Sequence, residues 1–232
     1  MRSAGCAIND YADRNIDRHV ARTKERPLTS GRISEKEALL VFVVLSLLAF
    51  LLVLSLNWFT IWLSIGGLLL AATYPFMKRL HYLPQVHLGA AFGWAVPMAF
   101  AAQTESLPKL AWLLYVVAVI WAVIYDTMYS MADREDDLKI GLKSTAILFG
   151  EYDRAIIGLF QALMILTLWL AGSELEFTEL YFYALGLASL LMIYEQYLIV
   201  YRVPENCFRA FLHNHWIGAI VFFGIMGHYY SV

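Results

Sequence analysis

Residues 38–77 read ALLVFVVLSLLAFLLVLSLNWFTIWLSIGGLLLAATYPFM, forty positions without an Asp, Glu, Lys or Arg. One helical bilayer crossing takes about 20 apolar residues. The stretch is therefore long enough for two crossings, with Asn57 at the turn between them. Outward from it, the 232-residue chain stays apolar: 60% of residues are hydrophobic and 16% charged, with a mean hydropathy of +0.61. A soluble domain is about a quarter charged. The charges are also unevenly placed, 25 of the 36 falling in residues 1–37 or 126–154. These observations predict an all-α integral membrane protein, a helical bundle forming a single domain over residues 1–232.

Seven full spans are expected, at roughly 37–56, 58–77, 85–103, 110–130, 152–172, 179–201 and 215–230. Most lack the alternating polar positions of barrel strands, so helices are the physical choice. Pro97 falls inside the third span, where a kink is tolerable if neighbours satisfy the freed carbonyl. Gly89 and Gly93 form a GxxxG, read as close helix packing. Residues 1–8 are too short to cross a bilayer, so Met1–Asp17 is expected to be a partial helix, with the chain beginning inside a span. Basic residues alternate between loops. The 14–36 loop holds seven, the turn at Asn57 none, then Lys78 and Arg79 follow; the positive-inside rule puts every second loop in the cytoplasm. There is no basic stripe of the nucleic-acid-binding kind and no feature that demands a protein partner. Cys6 and Cys207 are too few for a disulfide framework and form no CxxC; both are expected to pack as small apolar residues.

Two acidic clusters carry the chemistry. In N9-D10-Y-A-D13-R-N-I-D17, residues Asn9, Asp13 and Asp17 are spaced i, i+4, i+8, one stripe of an α-helix flanked by Asp10. In the second, Asp126, Asp133 and Asp137 share a face if the helix continues that far. Like charges at i,i+4 destabilise a helix and carboxylates at a membrane are costly. Two such stripes on one side need a counter-charge. Oxygen-only ligands favour Mg²⁺ or Ca²⁺ over zinc, and Mg²⁺ typically takes one or two carboxylates plus phosphate oxygens. Two helices gripping a diphosphate fit that pattern. Nearby cations complete an anion site: Arg22 and Arg26 after the first stripe, Lys139 and Lys143 after the second, and Lys78, i+4 from Tyr74, with Arg79 beside it.

The strings N9-D-x-x-D13-x-x-x-D17, Y74-x-x-x-K78 and D133-x-x-x-D137 resemble the signature motifs of UbiA-type intramembrane aromatic prenyltransferases. Y125-D-T-M-Y-S-M-A-D-R-E-D-D-L-K-I-G-L-K-S-T-A-I-L-F-G150 is similar to the bacterial branch that prenylates 4-hydroxybenzoate, and the likeness covers essentially the whole chain. It implies nine helices around a central cavity in a complete member, with the first helix and part of the second missing here. It also implies a multi-pass protein of the bacterial inner membrane, its site facing the cytoplasm. The substrates implied are polyprenyl diphosphate and 4-hydroxybenzoate, in a bilayer of lipid, for an early step of ubiquinone biosynthesis. Asp10, Asp13, Asp17, Asp126, Asp133 and Asp137 would hold Mg²⁺; Asn9, Arg22, Arg26, Lys78 and Lys143 would hold the diphosphate. Tyr74, Lys78, Arg79 and Asp133 would serve catalysis, Arg79 binding the benzoate carboxylate. Two alternatives stand beside this reading: the same scaffold with another acceptor, dihydroxynaphthoate or haem, and an ion-coupled transporter. Transporter acids should lie near the bilayer midplane, whereas these cluster at one face.

Overall fold

The computed structural model describes residues 1–19 and 23–231, and every regular element among them is helical. The order is α1 (Arg2–Asp13), α2 (Glu35–Val53), α3 (Trp58–Leu80), α4 (Pro84–Gly93), α5 (Ala95–Thr104) and α6 (Lys109–Ile140). Then come α7 (Thr145–Phe149), α8 (Asp153–Glu174), α9 (Glu179–Leu198), α10 (Pro204–His213) and α11 (His215–Ser231), with short 3₁₀ turns at Asp17–His19 and Gly150–Tyr152. The uncharged forty residues divide as the sequence predicts. Ser34 and Glu37 cap α2 reciprocally, the Ser34 hydroxyl accepting from the Glu37 N–H while the Glu37 carboxylate accepts from the Ser34 N–H. Asn57 caps α3 by accepting from Thr60 N at 2.9 Å, and its amide donates to Ala101 O at 2.8 Å. One polar side chain thus ends the turn and ties it to α5.

Among the described residues, five stretches are long and apolar enough to cross a membrane: Glu35–Val53, Trp58–Leu80, Lys109–Ile140, Thr145–Glu174 and Pro204–Ser231. Two of the seven expected spans take a different form. The third is broken at Trp94 into α4 and α5, ten residues each. Pro97 has no N–H for the Gly93 carbonyl, and the break falls at that carbonyl rather than at the proline. The 179–201 segment is a helix of 20 residues, but its apolar run is interrupted by the fully buried Glu195. The last expected span, 215–230, is continued on its N-terminal side by the short α10. As for the cysteines, Cys207 is buried as expected, whereas Cys6 is exposed.

The longest element, α6, has 32 residues, about 48 Å of helix, and ends at Gly141 in the left-handed region (φ 71°). It is the spine: α4, α8 and α10 pack along it. The buried apolar core runs through α6, α8, α9, α10 and α11, while α2 to α5 enclose open space. Close approach of α4 to α6 depends on the GxxxG. A Cβ on Gly89 would stand 2.8 Å from the Val119 carbonyl oxygen and 3.0 Å from its Cα. Because both atoms are backbone, Gly89→Ala should push the helices apart and cost about 1–3 kcal/mol, read as a lower thermal midpoint in detergent.

Candidate active site

A cavity of about 1400 Å³ opens between α1, α2, α3, the α4–α5 pair and α6. Its lining is mostly apolar, and its polar part gathers Asn9, Asp13, Asp17, Arg26, Lys78, Asp126, Asp133, Asp137 and Lys143. These come from three separate sequence clusters. The geometry of α1 and α3 explains how the first two meet. Tyr74 and Lys78 are one turn apart on α3 and reach the same face of α1. The Tyr74 hydroxyl donates to Asn9 Oδ1 at 3.1 Å, and Lys78 Nζ donates to Asp13 Oδ2 at 2.5 Å. Arg79 donates to the Ala12 carbonyl and lies 3.6 Å from Asp13 Oδ1. Asp13 is 2% exposed, so its charge needs these cations.

The single helical stripe predicted for Asn9, Asp13 and Asp17 is only half present. Helix α1 stops at Asp13, and Ile16 N turns back to the Asp13 carbonyl at 2.7 Å. A third carboxylate at i+8 would have continued a like-charged row; the turn places Asp17 beside Arg26 instead. Arg26 Nη1 spans Asp10 Oδ1 at 2.9 Å and Asp17 Oδ2 at 3.0 Å. Burial alone would lower the Arg26 pKa, but the Asp17 and Asp10 carboxylates outweigh it and hold it above its ordinary value. Thr23, which the sequence did not single out, pins this loop by donating to the Asp17 carbonyl at 3.1 Å. Asp10 is held by Arg26 and is not part of the cavity wall. Arg22 lies outside the described residues.

The second stripe forms as predicted, because α6 continues past Asp137 to Ile140. Asp126 lies on the same helix seven residues from Asp133, about 10 Å deeper, and receives a hydrogen bond from Gln85. Gln85 also accepts from Thr145 N at 3.0 Å, so one buried amide ties α4 to α7 beneath the acidic end. Gln85 opens the expected 85–103 span, which also holds His87 and Gln103, so nothing in the sequence singled it out. Lys143 is fixed twice to the end of α3, its N–H donating to the Lys78 carbonyl and its ammonium to the Leu80 carbonyl, both at 2.9 Å. Arg79 does not line the large cavity. It faces a smaller pocket of about 460 Å³ with Arg14, Asn15 and the loop at 140–142, separated from the cavity by Asp13.

Among the described residues no three His, Cys, Asp or Glu side chains gather into a protein-only metal cage. The donor set nonetheless suits a hard cation that takes part of its shell from another molecule. It is oxygen-only, and the buried Asp13 Oδ1 has no hydrogen-bond partner. Mg²⁺ bound through one or two carboxylates plus phosphate oxygens is such a case.

A second ionic cluster, unforeseen in the sequence, supports the first. Asp153, fully buried at the start of α8, accepts from Arg134 and from Arg202, the latter at 2.9 Å. Arg134 directly follows Asp133, so the clamp fixes the end of α6 that carries the acidic stripe.

The UbiA prenyltransferase family profile matches residues 1–223. A 4-hydroxybenzoate octaprenyltransferase from Alkalilimnicola ehrlichii is 58% identical over 226 residues, covering 97% of this chain and 77% of that protein. One from Methylococcus capsulatus is 58% identical and covers 99% of this chain and 78% of that protein. This chain spans a little over three quarters of the length of those two proteins. Among solved structures, a UbiA homolog from Aeropyrum pernix K1 superposes with TM-score 0.85 at 29% identity, covering 97% of this chain and 84% of that one. A UbiA homolog from Archaeoglobus fulgidus bound to GPP and Mg²⁺ shares the fold, with TM-score 0.62 at 20% identity over 96% of this chain and 83% of that one.

Removing the Asp153 carboxylate would leave two arginines without their partner. Asp153→Ala should therefore cost about 3 kcal/mol, lowering the thermal midpoint in detergent, and Arg134→Ala should lower it less because the Arg202 pair survives.

Proposed function

We propose, starting from the fact that this chain belongs to the UbiA prenyltransferase family, that it transfers a polyprenyl group from polyprenyl diphosphate to 4-hydroxybenzoate. The new bond would form at the ring carbon ortho to the hydroxyl, releasing diphosphate, in an early step of ubiquinone biosynthesis. The reaction would sit at the cytoplasmic face of a bacterial inner membrane. The observation that carries this reading is the convergence of Asn9, Asp13, Tyr74 and Lys78 at one end of an apolar cavity whose opposite wall presents Asp133 and Asp137.

Mg²⁺ held by Asp13 or Asp17 on one side and Asp133 or Asp137 on the other would stabilise negative charge on the diphosphate as it leaves. Lys78, Arg26 and Lys143 line the same space. Lys78 and Arg26 pair with Asp13, Asp10 and Asp17; toward a diphosphate they would turn to its oxygens as the allylic C–O bond breaks and the electron pair departs with the leaving group. Tyr74 fixes Asn9 and thereby the face of α1. The allylic cation that remains needs a dry wall of aromatic faces, and Tyr125 and Tyr129 line the cavity directly below the acidic end. The phenol ring would attack through its ortho carbon, and that carbon's proton would pass to the released diphosphate. Asp133, which lines the same cavity, would hold the phenolic proton. Arg79 is the cation assigned to the benzoate carboxylate, reached across Asp13 from the adjoining pocket.

Membranes containing the chain, supplied with octaprenyl diphosphate and separate acceptors, test the reaction: product is expected with 4-hydroxybenzoate, and product with dihydroxynaphthoate alone would overturn the acceptor. Asp13→Asn and Asp133→Asn should each lower kcat by about 10²–10³ while the protein stays in the membrane fraction. Chelation should abolish turnover and added Mg²⁺ restore it; full activity in either variant refutes the metal role. Arg79→Ala should raise KM for 4-hydroxybenzoate well above any change in KM for the prenyl donor, and equal changes would unseat the carboxylate assignment.

A further inference from the structure

The cavity-facing side of α6 continues below the acidic stripe. Asp137, Asp133, Tyr129, Tyr125 and Trp121 recur every fourth residue, and all five line the cavity. Steps of four residues are about 6 Å each, which places Trp121 about 18 Å from Asp133 along the helix. The Trp121 indole is held on several sides. Its Nε1–H donates to Asn214 Oδ1 at 2.5 Å, and the Tyr125 ring meets it edge-on with centroids 6.0 Å apart. Gly218 makes room for it, since a Cβ there would stand within 2.8 Å of indole carbon Cζ2.

Behind Asn214 runs a polar chain inside the apolar core. Asn214 Nδ2 donates to Glu195 Oε2 at 3.1 Å, and Gln161 Nε2 donates to the same oxygen at 3.3 Å. His213 Nδ1 lies 3.3 Å from Glu195 Oε1, and Gln196 donates to Gln161 Oε1 at 3.0 Å. Polar side chains between membrane helices join them, and that accounts for Gln161, Gln196 and Glu195, none of which lines the cavity. Helix joining does not account for why the chain ends on an indole in the cavity wall. An intramembrane carboxylate is costly enough to need a function.

We propose that Trp121 contacts the donor's isoprenoid chain at about its third unit, about 12 Å from Tyr129, and so sets the preference for donors longer than geranyl, and that Glu195 is the positioning residue that fixes Trp121 through Asn214. The inference rests on the reading of the cavity as the prenyl-donor site. With the diphosphate at the acidic end, the reacting carbon lies near Tyr129, and only a chain several isoprene units long reaches Trp121. An apolar donor tail gains affinity from each further group that packs on a fixed wall, and less from one that yields.

The test compares geranyl and octaprenyl donors in detergent or nanodiscs, both as kcat/KM with 4-hydroxybenzoate and as equilibrium binding of the corresponding non-reactive S-thiolodiphosphates. Trp121→Ala should lower the octaprenyl-to-geranyl ratio about tenfold in both readouts. Glu195→Leu should lower the ratio in the same direction, while Glu195→Gln, whose amide oxygen still accepts from Asn214, should keep it within about twofold of wild type. Trp121→Phe keeps a ring but loses the N–H, which covers the case of a Trp121→Ala protein that does not fold. In that background Glu195→Leu should have no further effect on the ratio, because the two act in one line. A ratio unchanged in Trp121→Ala, or additive losses in the double variant, overturns the assignment while leaving the donor reading intact. A wild-type protein that binds neither analogue overturns the donor reading itself.

Discussion

Every part of the acidic end depends on one constraint, the cost of keeping carboxylates at the edge of an apolar bundle. Asp13 is buried and cannot be left alone. Lys78 meets it from α3, Arg79 stands behind it, and the loop after α1 returns Arg26 to Asp10 and Asp17. These pairs are more than compensation. They gather cations at the acidic end, so the proposed diphosphate would exchange partners there and would not require charge to be assembled from solvent. Surface ion pairs contribute little, but here the exposures of Asp13 and Asp17 are only 2% and 5%, so the pairing decides which face α1 presents.

The same constraint gives α6 its length. A helix that only crossed the membrane would end near Ser130, leaving Asp133 and Asp137 on an unsupported loop. Instead it runs on to Ile140, and Asp153 holds the added turns through Arg134 while drawing in Arg202 from the far side. The loop that follows is sewn to α3 by Lys143. Both acidic clusters are thus referred to α3, one through Lys78 and one through Lys143, which keeps the two walls in register across the opening.

Much of this was legible in the sequence, and the parts that were not have a common reason. Absence of charge located the helices, and spacing located the carboxylates of α6, because both signals are local. The end of α1 at Asp13 was not visible: the i, i+4, i+8 spacing of Asn9, Asp13 and Asp17 reads as a continuous helix, and what stops it is a turn stabilised by Arg26, more than a helix-turn away in sequence. The break at Trp94 was half visible, since Pro97 marks the lost hydrogen bond but not the carbonyl at which the chain yields. Gln85, Arg134, Asp153 and Glu195 have partners 18 to 60 residues away, and a single sequence carries no record of such pairs. Glu195, a carboxylate in an expected span, left a trace; Arg134 and Asp153 were lost among the charges of residues 126–154.

Seen together, those polar residues divide the bundle by task. At the acidic end charge is balanced by charge, in pairs that the proposed diphosphate would open. Behind Trp121, Glu195 and Gln161 are satisfied by neutral amides and one imidazole and neither lines the cavity. Trp121 and Asn214 are where the second kind of network touches the cavity. A wall built on exchangeable ion pairs would shift as the anion came and went; one built on buried amides stays in place. The stripe from Asp137 to Trp121 therefore joins an end made to change partners to an end made to hold still, on a single continuous helix.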